Sequence, residues 1–212
     1  GDGLRRIAEI AESAGSTAVR TTNDQNILVL DVPEGRVDGL RNGLAAAGFD
    51  TAPGWARRSV IACTGVQFCK LAVAETKLRA DALVEELERR VALDVPVRIS
   101  VTGCPNACGQ HHICDIGLEG ASVTVGGEKR EAFAVYLGGG VGEHESFGRR
   151  TRVRIASERL ADALVGLLEG FKELRSEGES FQAFCRRTPS AELAALLEPV
   201  PETAVAQFAI RS

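Results

Sequence analysis

The 212-residue sequence predicts a mixed fold of helices and strands, α/β or α+β, and three observations carry that prediction. Apolar and polar residues alternate through Val95, Val97, Ile99 and Val101, the period of a strand. Upstream, Leu78, Leu83, Leu87 and Val91 recur at four- or five-residue steps between acids and bases, the pattern of an amphipathic helix. Each of two cysteine clusters follows directly on a strand-like run, and strand ends followed by loops are where rigid scaffolds present chemistry.

Taken in order, residues 4–14 read as a leading helix. TAVRTT (17–22) and ILVL (27–30) are β-rich and are separated by the turn-forming NDQN. After Pro33, Val37, Leu40, Leu44 and Ala47 fall at helical spacing, and Gly48 supplies a C-terminal stop. TAPGWAR (51–57), with Pro, Gly and the only Trp, reads as a connector, which sets the expected domains at 1–56 and 57–212. RSVIA (58–62) is a short strand running into Cys63, and residues 74–91 form the amphipathic helix. The alternation from Val95 to Val101 runs into Thr102-Gly103-Cys104, and FAVYL (133–137) is a further strand closed by GGG. Ser157 is the expected N-cap of a helix burying Leu160, Leu164, Leu167, Leu168 and Phe171.

Composition narrows the function classes. Hydrophobic content of 44% and charged content of 25% are those of an ordinary soluble domain, and a net charge of −4 implies no nucleic-acid partner. No apolar run is long enough to cross a bilayer, and GDGLRRIAEI lacks the order of a signal peptide, so the expected setting is cytoplasmic, away from any membrane. The chain contains no Met at all, which hints at a piece of something longer. Six cysteines are too few for a disulfide scaffold of this size, leaving metal site, redox centre or catalytic thiol.

The first cluster is ACTGVQFCK, a C-x5-C at Cys63 and Cys69; the second is TGCPNACG, a C-x3-C at Cys104 and Cys108. Structural zinc prefers tighter knuckles than C-x5-C. A disulfide across C-x3-C would close a very tight loop around Pro105. A catalytic thiol needs a base, and His111 and His112 stand near enough in sequence to supply one. A [4Fe–4S] cluster needs four thiolates on loops that can wrap a cube and backbone N–H groups turned toward the sulfurs; Gly65, Gly103 and Gly109 would let the backbone approach. Spacing alone leaves these readings open.

ACTGVQFCKLAVAETK followed by VTGCPNACGQHHICDIGLEG resembles the siroheme and [4Fe–4S] motif pair of the assimilatory nitrite and sulfite reductases. VRTTNDQNILVLDVPEG (19–35) resembles that family's ferredoxin-like half-domain, AVYLGGGVG (134–142) its strand and glycine loop, and SEGESFQAF (176–184) its C-terminal segment. The resemblance implies an α+β fold, a ferredoxin-like half-domain followed by the mixed α/β siroheme/[4Fe–4S]-binding domain. It implies that Cys63, Cys69, Cys104 and Cys108 are the cluster ligands, that Cys108 also bridges to the siroheme iron as the catalytic coupling atom, and that Asn106 contacts the macrocycle. The implied reaction is six-electron reduction of nitrite to ammonia, or of sulfite to sulfide, with a ferredoxin-type electron donor; CTG-x-QFC and the ETK at 75–77 look more like the nitrite branch. A non-catalytic iron–sulfur electron-transfer module is the alternative from another class. The family's complete subunit is a pseudo-repeat, and this chain resembles its second half only. The resemblance therefore implies a partner, the missing N-terminal half or a second subunit.

Other residues have plainer readings. One of His111 and His112 is expected to pack against the following strand and the other to be solvated. Cys114 and Cys185 read as buried core thiols. Lys70, Lys77 and the run Arg149, Arg150, Arg152 and Arg154 would tune the cluster, neutralise siroheme carboxylates or dock an acidic donor, or else form solvated faces.

Overall fold

The structure, a computed structural model, describes residues 1–142 and 145–198, so the last stretch of the expected second domain, 199–212, lies outside the described residues. The chain divides into two compact units, Gly1–Gly54 and Trp55 onward. In the first, helix α1 (Asp2–Ser13) buries Ile7 and Ala11, an antiparallel pair follows in β1 (Ala18–Thr21) and β2 (Ile27–Leu30), and helix α2 (Val37–Ala46) buries Leu40. Gly48 ends α2 with φ +84°, a backbone conformation that a side chain would resist.

The second unit is built on a five-stranded sheet: β3 (Val60–Ala62), β4 (Ile99–Thr102), β5 (Ile116–Val125), β6 (Glu128–Leu137) and β7 (Arg149–Ala156), in that spatial order. The first three strands run parallel and the last two antiparallel. The crossover from β3 to β4 carries helix α4 (Lys77–Arg90), and helix α5 (Leu160–Leu174) follows β7. Gly126 and Gly127, both with positive φ, make the two-residue turn between β5 and β6, a geometry that matches strand twist.

Strand period 2 sorts the two faces of the sheet. Ile99, Val101, Ile116, Leu118, Val135 and Leu137 join Leu83, Leu87, Leu164 and Phe171 in one core beneath the helices. Ser100 and Thr102 point the other way, yet both are wholly buried. The alternation read from Val95 to Val101 is thus not an apolar face and a wet face. Strand β4 is covered on both sides, with the cysteine-bearing loop on its polar side.

Several expectations change. Trp55, Arg58 and Ser59 belong to a short helix α3 (Trp55–Ser59), and the Trp55 indole donates to Val91 O at 2.9 Å, tying this segment to the end of α4. Leu78 is 61% exposed, because five residues to Leu83 rotate it off the buried stripe, which runs through Ala80, Leu83, Val84 and Leu87. Ser157 does not cap α5. It opens a 3₁₀ turn, and its hydroxyl donates to Glu131 Oε1 at 2.6 Å. Read from sequence only as a basic run, β7 is an edge strand, where charged side chains discourage further pairing. Helices α6 (Phe181–Arg187) and α7 (Ser190–Leu197) are too short for a periodic signal; α6 buries Phe181, Phe184 and Cys185. Among the described residues no helix is long and apolar enough to cross a membrane.

Candidate functional site

Parallel pairing of β3 and β4 puts the two cysteine loops side by side. Ala62 stands opposite Val101, so Cys63 and Gly103-Cys104 leave the sheet at the same end. Cys63 N donates to Val101 O at 3.0 Å, extending the ladder by one rung. Gly103 N then donates to Cys63 Sγ at 3.2 Å, and Val73 N donates to Gly103 O at 2.8 Å. One residue, Gly103, therefore links the second loop to both ends of the first. A backbone N–H on a sulfur is the kind of outer contact that orients a ligand. Within the first loop, Cys69 N donates to Gly65 O at 3.0 Å, closing a turn that leaves Cys69 half-buried.

The second loop has to return from the end of β4 to the start of β5, and it does so along the polar face of β4. Ser100 Oγ donates to Gly109 O at 2.5 Å. A Cβ on Gly109 would stand 2.8 Å from Ser100 Oγ, one on Gly103 3.0 Å from Ala74 O, and one on Gly65 2.5 Å from Thr76 Oγ1, so all three glycines are needed for close approach. Ala107 and Gln110, on either side of the exposed Cys108, both hold left-handed φ, +56° and +59°. Such backbone persists only where its surroundings impose it. Cys104 is buried and Asn106 exposed.

The same face carries groups that periodicity alone did not single out. Thr102 pairs with Glu119, Gly117 with Tyr136, and Tyr136 with Arg150, so these side chains stand on the polar face beside the loop. Tyr136 donates to Glu119 Oε2 at 2.9 Å, and Arg150 reaches Glu119 Oε1 at 3.4 Å. His111 is wholly buried against Gly117, and His112 is half-buried, its ring 4.0 Å from that of His111. The reading of one packed and one solvated histidine holds for His111 only. Glu119, Arg150, Arg154, Lys129, Arg130 and Pro105 line a groove of about 590 Å³. Arg149 is turned elsewhere, donating to the carbonyls of Cys185 and Thr188. Lys77 Nζ donates to Ala62 O at 3.1 Å, bracing the strand end before Cys63. The sequence signal for Thr76 was only its place in ETK; it is wholly buried and its hydroxyl donates to Cys63 O at 2.6 Å. Cys114 and Cys185 are core, and burial pushes the Cys185 thiol up to about 12.

Burial holds the His111 imidazole down at about 4, with His112 acting in the same direction and Glu119 opposing it. Arg150 and Tyr136 complete its surroundings. The folded chain keeps His111 neutral, while the unfolded chain binds a proton near 6.5. Stability is therefore full above pH 6.5 and falls as pH drops toward 4, by up to about 3 kcal/mol from this group. Urea midpoints measured in EDTA should decline over that window, and His111→Leu should flatten the decline. A His111 Cε1–H resonance titrating near 6.5 in the folded chain would contradict it.

Residues 54–188 match the nitrite and sulphite reductase 4Fe-4S domain, and residues 1–47 match the nitrite/sulfite reductase ferredoxin-like half domain. The chain belongs to the nitrite and sulphite reductase family. Among its relatives, a Mycolicibacterium paratuberculosis protein named sulfite reductase [ferredoxin] 1 is 40% identical over 91% of this chain and 36% of its own length. A Synechococcus elongatus ferredoxin–nitrite reductase is 38% identical over 78% of this chain and 32% of its own. The solved Mycobacterium tuberculosis NirA protein superposes with a TM-score of 0.86 at 39% identity, covering 91% of this chain and 36% of that one. The chain thus spans about a third of the length of the relatives it matches. The cofactors of this family are a [4Fe–4S] cluster and siroheme. The donor set here suits a cluster: paired cysteines on two loops joined at Gly103, with a backbone N–H already on one sulfur.

Proposed function

We propose that the chain is the cofactor-binding C-terminal half of an assimilatory siroheme reductase, acting on sulfite or nitrite with electrons from a ferredoxin-type donor. The observation that carries this reading is the hydrogen bond from Gly103 N to Cys63 Sγ, which joins two cysteine loops on adjacent parallel strands. Cys63, Cys69, Cys104 and Cys108 would hold the [4Fe–4S] cluster, Cys108 would also face the siroheme iron, and Asn106 would lie against the macrocycle. When bound, the two groups would relay six electrons from the donor to the anion, one at a time. The protein's part is positioning and charge. Lys77 and Thr76 brace the backbone around Cys63, and Lys129, Arg130, Arg150 and Arg154 give the groove a positive wall suited to carboxylates or an oxyanion. Glu119 holds Arg150, and Glu158 holds Arg130 at 3.1 Å, so the wall is partly fixed before an anion arrives. Phe68, Leu71 and Val73 of the first loop are 79%, 66% and 57% exposed, an apolar surface suited to cover by the macrocycle, the missing N-terminal half or a second subunit.

Two substrates follow from two observations. Sulfite is favoured by the higher identity over nearly the whole chain, 40% over 90–91% to the relatives named sulfite reductase against 32% over 92% to the Haloferax mediterranei relative named nitrite reductase. Nitrite is favoured by the CTG-x-QFC and ETK motifs. The full-length reductase, reduced and supplied with each anion, decides between them: sulfide formed with at least tenfold higher kcat/KM than ammonia supports sulfite. The reverse ratio selects nitrite, and neither product from a siroheme-replete enzyme overturns the reductase reading.

A further inference from the structure

We propose that His111, His112 and Glu119 form a second metal site, two imidazoles and one carboxylate that bind a single divalent cation of the zinc class. One ligand atom from each lies within 4.8 Å of the other two, in a set that contains none of the cysteines. Its centre is His111, which is 0% exposed, with neither Nδ1 nor Nε2 in a hydrogen bond. A buried imidazole in that condition leaves a lone pair and an N–H without partners, which disfavours the fold unless something binds there. Coordination would use the lone pair.

The spacing supports coordination over a misaligned hydrogen bond. His111 Nε2 stands 3.4 Å from Glu119 Oε2. Two ligands about 2.0–2.1 Å from one tetrahedral ion are separated by about 3.4 Å. The carboxylate is also held from behind, by the Tyr136 hydroxyl at 2.9 Å and by Arg150 at 3.4 Å, the kind of outer contact that orients a ligand. Arg150 opposes a cation, but its side chain is 51% exposed and water screens it. The groove that Glu119 lines gives an ion a way in, and half-buried His112 leaves a fourth position for water. Imidazole and carboxylate are borderline-to-hard donors, unlike the thiolates of the neighbouring loops, so the two sites select different guests. The set stands whatever the cysteine loops hold.

The test uses the full chain, stripped with EDTA and titrated with Zn2+ while the histidine ring nitrogens are followed by 1H–15N spectroscopy. Zinc captured by the cysteines alone would leave the Glu119→Gln and His112→Ala variants responding like the wild type. The sequence has three histidines, so His144 serves as internal control. The expected result is that His111 and His112 shift together with one-to-one stoichiometry while His144 does not, and that Glu119→Gln and His112→Ala each weaken the response at least tenfold. His112 is half-buried, so its variant keeps the fold even if the Glu119 variant does not. Unmoved His111 and His112 resonances at saturating Zn2+, or unchanged affinity in both variants, overturn the proposal.

Discussion

In the full-length reductase, Cys63→Ser is expected to purify without its [4Fe–4S] cluster and with activity below about one-hundredth of wild type. A serine oxygen is a hard, poorly ionised donor where the cluster needs a soft thiolate. The Gly103 N–H would then face a shorter hydroxyl in place of a sulfur, so the bond that joins the loops is disturbed as well. Cys104→Ser and Cys108→Ser should behave alike. Cys114→Ala, which removes a thiol that is 1% exposed and lies behind the loop, should keep iron and acid-labile sulfide at wild-type ratio and lose only stability, by about 1 kcal/mol. Iron analysis and the visible spectrum read both outcomes. A Cys63→Ser enzyme with full iron content would remove Cys63 from the ligand set, and iron loss in Cys114→Ala would add a residue to it.

Gly120→Ala should be among the most damaging single methyl additions near the cysteine loops. Its Cβ would stand 2.3 Å from Gly103 O and 3.0 Å from Ala74 Cβ. Gly103 is the residue whose N–H meets Cys63 Sγ and whose carbonyl meets Val73 N, so the push falls on the junction of the two cysteine loops. Backbone cannot rotate aside as a side chain does, so the cost is about 3 kcal/mol or more. In a domain of this size that lowers Tm by about 6–12 °C. Gly39→Ala is the matched control: it lies in α2 with nothing within 4 Å of the new methyl, and should leave Tm unchanged or raise it slightly. Equal Tm values for the two variants would mean that the close packing of β5 on the Gly103 peptide does not exist in solution.

The sequence by itself determined the elements whose signal is local. The stripe Leu160–Phe171 had to be a buried helix, because one apolar face at helical spacing has nowhere else to go, and the glycine after α2 had to end it. The strand-end positions of the two cysteine pairs were legible for the same reason, since they follow from the apolar runs before them, whereas spacing left their chemistry open until the resemblance to a family implied it. Tertiary structure decided everything that depended on which strands are neighbours. Ser100 and Thr102 looked like a wet strand face until parallel pairing laid the cysteine return loop over them. Glu119, Tyr136 and Arg150 are far apart in sequence, and only the register of β5, β6 and β7 puts them on one face beside His111. Arg149 and Arg150 are adjacent in a basic run, yet strand alternation sends one to the carbonyls of Cys185 and Thr188 and the other to the groove. Local patterns encode which face of an element is apolar; partners across a sheet are chosen by the pairing of whole strands, which no short window of sequence contains.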